Sequence, residues 1–302
     1  KLGVTTVGDY SQMPYREALL RAAERGTLTV RTSSSIYTED LRTQIQNGFR
    51  TGTRQSPFLQ DGGVKVFLDG SLGGLTALLR SPYCDDEHCG TAIWTPEEVV
   101  EHFHVADQNG VQIHAHAIGD AAIDLGLDGF ETLPPSTQDL RHRFEHWELP
   151  HDDAVARTKA AGITACSQPN FVGEWSAKGG MYEDRLGERY RINNRFRTYL
   201  KEGVSICFGS DGMPFGPLYG LQSALDHPVE EERIPIEEAV WLYTHAAGRS
   251  LHWETGQLAP GFFADFLILD RSMDDKPAQW KFLDVVIGGK SASDAENPGP
   301  SS

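Results

Sequence analysis

Cysteine is scarce. Four residues in a chain of 302 cannot staple a domain of this size, so disulfides are not what holds the fold. Lysine is thin as well, with eight among the 27 basic residues, and arginine supplies the rest. Against them stand 43 acidic residues, for a formal net charge of -16. A chain without a basic stripe has nothing to neutralise a phosphate backbone, which excludes nucleic acid as a partner. Long apolar runs are also missing, so no segment reads as a membrane helix. The first residues lack the pattern of a cleavable leader. Lys1 leads into Val4-Thr5-Thr6-Val7 and then Asp9, with no small-residue cleavage site. The expectation is a soluble, cytoplasmic chain with no membrane contact.

The apolar share, 39%, is enough for one barrel-sized domain or two ordinary ones. Acidic runs such as Asp85-Asp86-Glu87 and Glu230-Glu231-Glu232 read as solvated surface. A halophile-like adaptation, in which salt screens a dense acidic surface, and an ordinary acidic enzyme both fit this charge. Cys84 and Cys89 flank His88 in an acidic loop with no fourth zinc ligand in sight, and read as unpaired thiols. Cys166 and Cys207 fall in β-like runs and read as small core residues.

Short β-branched runs alternate with helical patterns. Strands are predicted at 4–7, from 28 towards 37, at 64–68, from 111 to His116, at 141–146, 163–167 and 204–208. Helices are predicted at 15–25, 39–48, from Thr95-Pro96-Glu97-Glu98 to Asn109-Gly110, at 120–130, 152–161 (stopped by Gly162), 218–225 and 236–251. Repeated strand-then-helix units imply a parallel sheet. No glycine-rich phosphate turn follows the first strand, and polar residues recur at the C-terminal ends of the strands, which selects a barrel. The fold class is therefore α/β, a (β/α)8 TIM-type barrel counted at seven strands and lacking its first. It spans 1–252, followed by a small β-sandwich portion at 253–290 and a disordered Ser/Pro/Gly/acid tail at 291–302.

Hydrolysis near neutral pH needs a nucleophile stronger than bulk water, which a bound divalent metal supplies. His116, His146 and Asp211 each end a predicted strand and together form a candidate metal focus. Asp211 is also the candidate proton acceptor, although its Gly209-Ser210-Asp211-Gly212 turn would equally suit a helix cap. Lys65 interrupts an apolar strand. It is either a buried amine that is paired, neutral or modified, or an edge lysine reaching solvent.

Five segments carry a resemblance. They are Val64-Lys65-Val66-Phe67-Leu68-Asp69-Gly70-Ser71 with Thr76-Ala77; His114-Ala115-His116-Ala117-Ile118-Gly119-Asp120; Arg141-His142-Arg143-Phe144-Glu145-His146; Ser167-Gln168-Pro169; and Gly209-Ser210-Asp211. In this order they resemble the fourth to eighth strand motifs of amidohydrolase family 3, the YtcJ-like metal-dependent hydrolases. The stretch from Leu258 to Phe266 resembles that family's return to its sandwich. The resemblance implies one or two divalent ions, zinc above all, held by Lys65 (carboxylated), His116, His146 and Asp211. It implies orienting or substrate-facing roles for Asp69, His114, Asp120, Glu145 and Gln168. It implies cleavage of a C–N or related bond in a small molecule.

One departure stands out. The family opens with a first strand bearing a His-x-His pair, whereas here the sequence starts at a segment resembling the second strand. His102-Phe103-His104 lies in a predicted helix. The alternative is accordingly a truncated, non-catalytic relative with impaired metal binding. Unpaired sheet edges leave a homodimer as an option.

Overall fold

The computed structural model describes residues 2–84, 86–212 and 214–292, apart from the side chains of 136–138. Eleven strands are present among them: β1 (Thr6–Tyr10), β2 (Arg31–Tyr37), β3 (Arg54–Ser56), β4 (Leu59–Phe67), β5 (Ile113–Ala117), β6 (Arg143–His146), β7 (Thr164–Ser167), β8 (Ile206–Phe208), β9 (Phe266–Leu269), β10 (Phe282–Ile287) and β11 (Lys290–Ser291). Seven of them, in the order β1-β2-β4-β5-β6-β7-β8, form a curled parallel sheet, a partial TIM-type barrel. Among the described residues, β1 and β8 do not pair with each other, so the sheet is open on that side.

Register explains which side chains meet. Phe67, His116, Glu145, Cys166 and Cys207 are successive partners across β4 to β8, one row of the inner face. Two residues lower, Tyr37, Lys65, His114, Arg143 and Thr164 form the next row. The alternate residues Val64, Val66, Ala115, Phe144, Ala165, Ile206 and Phe208 turn outward and are buried in the core under the helices. The inner face is thus polar and the outer face apolar, which is the opposite of a core-filled barrel and suits a working interior.

The helices carry their own signals. Helix Pro96–Gln108 starts at Thr95 with a capping box: Thr95 accepts from the Glu98 N–H, and Glu98 accepts from the Thr95 N–H at 2.8 Å. It buries Val99, Phe103 and Ala106. Helix Asp152–Ala161 ends as predicted at Gly162, whose φ of 69° suits glycine.

Several expectations need correction. The antiparallel hairpin strand β3 was not foreseen, since Arg-Gln-Ser has no alternating pattern. The helix expected at 236–251 runs from Ile236 to Ser250 but passes through a π-helical turn at Leu242–Ala246. The polar stretch after Gln168 contains helices Pro169–Trp175 and Met181–Leu186. Strand β1 lies two to three residues later than predicted, and β2 starts three residues later but reaches Tyr37 as expected. Ser291, assigned to the tail, pairs in β11, and the rest of that tail from 293 on lies outside the described residues. Cys166 is half-buried on the inner face instead of sitting in the core, while Cys207 is buried.

The three-stranded antiparallel sheet β11-β10-β9 meets the barrel through Leu269 and Trp280, which pack with its core, and through a buried ion pair. Arg31 of β2 donates from Nε and Nη2 to Asp265 at 2.7 and 3.1 Å, and Asp265 also accepts from the Gly288 N–H at 2.6 Å. The Arg31 guanidinium lies 3.7 Å from the centre of the Phe263 ring. No helix among the described residues is long and apolar enough to cross a membrane.

Candidate active site

A cavity of about 1290 Å³ opens at the C-terminal ends of the strands and continues along the gap between β1 and β8. Lys65, His116, His146 and Asp211 all line it, with Glu145 and Gln168. The imidazoles of His116 and His146 are edge-to-face with centres 4.5 Å apart. By strict alternation His146 would point outward after Glu145. Its φ of 74° is left-handed, which turns the ring back to the inner face. Asp211 has a φ of 52°, so two of the four candidate ligands sit in strained backbone.

Each imidazole is fixed by one nitrogen. Nε2 of His116 lies 2.8 Å from the Gly70 carbonyl oxygen and 3.5 Å from Asp69 Oδ1, and Nδ1 of His146 lies 2.8 Å from Gln168 Oε1. Acceptors at those atoms fix the tautomers, leaving His116 Nδ1 and His146 Nε2 with their lone pairs and no hydrogen-bond partner among the described residues. Burial, then His146 and Lys65, holds His116 well below the usual histidine range. Burial and Lys65 bring His146 to about 3. Both rings are neutral at pH 7. Phe171 stacks on His146 at 5.7 Å, and Trp175 packs against Phe171.

Beneath the imidazoles lies a buried charged network. Tyr10 Oη and Arg143 Nε both donate to Glu145 Oε1, the second at 2.6 Å, and Arg143 Nη2 donates to Tyr10 Oη at 2.8 Å. Burial alone would raise Glu145, but Arg143, Lys65 and Tyr10 hold it below the usual carboxylate range. Lys65 is 5% exposed on an interior strand, which removes the solvent-reaching alternative. Its Nζ lies 4.5 Å from the Tyr10 ring centre and 5.1 Å from that of Phe67. Burial lowers its pKa, opposed by Glu145 and Asp211. Asp211 is exposed, accepts the Gly212 N–H at 2.7 Å and caps no helix; Gly216 occupies the N-cap of the next one.

The remaining candidates separate. Asp69 accepts the N–H groups of Leu78, Ile118 and Gly119, and burial lifts it to about 7 against their pull. It touches His116 from behind the cavity wall. His114 lies a row below, fully buried, with Gln112 Oε1 at 2.8 Å and Ser35 Oγ at 3.4 Å, and does not line the cavity. Asp120 pairs instead with His151 at 2.9 Å and the Arg80 N–H, also away from the cavity. Sequence reasoning missed Tyr10, Arg143 and Glu148. Glu148 is a buried carboxyl on the cavity wall that burial raises to about 7, with Asn193 Nδ2 at 3.3 Å. Its signal was position, two residues after His146 at a strand end.

The donor chemistry suits a divalent cation: two neutral imidazoles with free lone pairs, a carboxylate and a lysine lining one cavity. The set is not assembled, since no group of three His, Cys, Asp or Glu stands at ligand spacing among the described residues.

Imidazoles and a carboxylate from strand ends line the mouth of a partial parallel barrel, the place where barrel enzymes build their active sites. The chain belongs to the amidohydrolase family, whose model matches residues 1–291. It is 32% identical over 255 residues to YtcJ of Bacillus subtilis (strain 168), described as an amidohydrolase; the match covers 78% of this chain and 47% of that protein. It is 25% identical to the N-substituted formamide deformylase of Arthrobacter pascens, covering 91% of this chain and 54% of that one. An uncharacterized metal-dependent hydrolase from Pyrococcus horikoshii superposes with a TM-score of 0.84 at 30% identity, over 93% of this chain and 59% of the other. The chain spans about half the length of the curated relatives it matches.

Proposed function

We propose that this chain is a metal-dependent amidohydrolase acting on a C–N or related bond of a small molecule in the cytoplasm, with zinc as the ion. The observation that carries this reading is the pair of neutral, buried imidazoles with free nitrogens at one cavity mouth, beside Lys65 and Asp211. His116 Nδ1 and His146 Nε2 would hold the ion with Asp211 and Lys65. A bound divalent cation supplies Lewis acidity and lowers the pKa of water. Burial favours the neutral amine of Lys65, the form that combines with CO2 to give a carboxylate ligand. Asp211 accepts the proton of the attacking water and returns it to the leaving amine. Gln168 and the Gly70 carbonyl hold the two rings in their tautomers, and the Tyr10–Glu145–Arg143 network fixes the floor under Lys65. Phe171 and Trp175 offer an apolar wall to the part of the substrate that does not react. The name of the formamide deformylase makes N-substituted formamides the first substrates to try.

Metal content of the purified chain, measured by mass spectrometry with and without His116→Ala, tests this directly. The parent should retain a transition metal and hydrolyse a formamide in a chelator-sensitive way, and the variant should lose both. A parent without metal after zinc loading would overturn the reading. The alternative, a non-catalytic relative with impaired metal binding, draws support from the unassembled ligand set and the open sheet. It predicts a folded protein that binds zinc weakly and turns nothing over.

A further inference from the structure

Cys166 and Cys207 are direct register partners on β7 and β8, on the same inner face, and both line the cavity. The Cys207 thiol lies 3.5 Å from Ser250 Oγ. Neighbouring strands run about 4.8 Å apart, inside the Cα separation of about 4.4–6.8 Å that a disulfide spans. Nothing in the proposed hydrolytic chemistry uses these thiols. We propose that Cys166 and Cys207 form a reversible, oxidant-responsive dithiol, closing to a disulfide between β7 and β8 when a peroxide enters the cavity.

The chemistry balances with hydrogen peroxide as the two-electron oxidant. The Cys207 thiolate attacks one peroxide oxygen, breaking the O–O bond. Hydroxide leaves and takes up the proton lost by Cys207, giving water and a sulfenic acid. Cys166 sulfur then attacks the sulfenic sulfur, and the S–OH oxygen leaves as a second water with the Cys166 proton. Two thiols and one peroxide become one disulfide and two waters. The contact between the two thiols, and then Arg143, pulls Cys207 down despite its burial, which favours it as the attacking sulfur. Two Cβ atoms pointing the same way from parallel partners make a strained bridge, and strained bridges are easily reduced.

The bridge would be felt at the site. The Cys166 carbonyl accepts from Gln168 Nε2 at 3.1 Å, and Gln168 Oε1 holds His146. Cys207 stands four residues before Asp211 on the strand that leads to it. This consequence rests on His146 and Asp211 being working residues, but bridge formation does not.

The test uses the full chain with Cys84→Ser and Cys89→Ser, which removes the loop thiols far from the cavity floor. After peroxide treatment, tryptic peptides 160–178 and 202–233 should appear joined, lighter by two hydrogens than their sum, and should separate with dithiothreitol. The link should vanish in Cys166→Ser. Two free thiols after exhaustive treatment, or separate oxygen adducts on each peptide, would overturn the proposal. In the bridged protein the His146 imidazole resonances should shift and return on reduction. An unmoved His146 in a bridged protein would overturn the coupling while leaving the bridge.

Discussion

Histidine protonation gives the first residue-scale expectation. Burial, then Arg141, brings His252 to about 4, and burial holds His114 well below its ordinary value. In the unfolded chain both titrate near 6.5. As pH falls from about 6.5 towards about 4, the unfolded state takes up these protons and the native state does not, so stability present above pH 6.5 is lost. The melting temperature of His252→Gln should therefore fall less between about pH 7 and about pH 4.5 than that of the parent. Parallel curves for the two proteins would refute the assignment. His116, His146 and Lys65 were legible because each is a titratable residue at or inside a β-type run. What the sequence hides is direction. Alternation cannot announce the left-handed φ that swings His146 inward, nor that Tyr10, 135 residues away in sequence, donates to Glu145. His114 was expected to orient a ligand or face substrate, yet its ring nitrogens are taken up by Gln112 and Ser35 and it does not line the cavity, although Lys65 and Arg143 of the same row do.

At the scale of elements, local signals and tertiary signals part company. The capping box at Thr95 is complete, so Thr95→Ala should cost about 1 kcal/mol, read as a lower urea midpoint with an unchanged slope. An unaltered midpoint would show the box to be dispensable. Helix ends such as Thr95 and Gly162 were legible because the capping residue carries its own physics. Strands β4 to β8 were legible because their outward residues are apolar, whereas β2 buries a polar run from Thr32 to Ser35. The β3 hairpin was not, because Arg54–Ser56 is exposed polar chain that becomes a strand only when β4 offers an edge. The π turn at Leu242–Ala246 is equally silent in sequence, where the periodicity reads straight through it.

At the scale of the molecule, a buried ion pair helps hold the two sheets together. Arg31 and Asp265 are both nearly inaccessible, so Asp265→Ala leaves a guanidinium buried without its partner. The expected loss is about 3–5 kcal/mol, with the small sheet becoming protease-sensitive before the barrel does. Limited proteolysis that cuts both sheets at equal rates would contradict this. The net charge of -16 adds a second whole-molecule expectation: added potassium chloride should raise the melting temperature by screening self-repulsion. A flat response would favour the ordinary acidic surface over the halophile-like one.

The order of strands divides the site mechanically. β5 and β6, which carry His116 and His146, are hydrogen-bonded on both sides, whereas β8, which leads to Asp211, has a strand neighbour only in β7 among the described residues. Amides of β5 and β6 should exchange with deuterium only through large-scale opening, and those of β8 through fraying. The mouth is thus a vice with one fixed jaw and one loose jaw. Whatever it grips must give up part of its binding energy to hold the loose jaw still, so affinity is set by the stiffness of β8 as much as by the atoms that touch the guest.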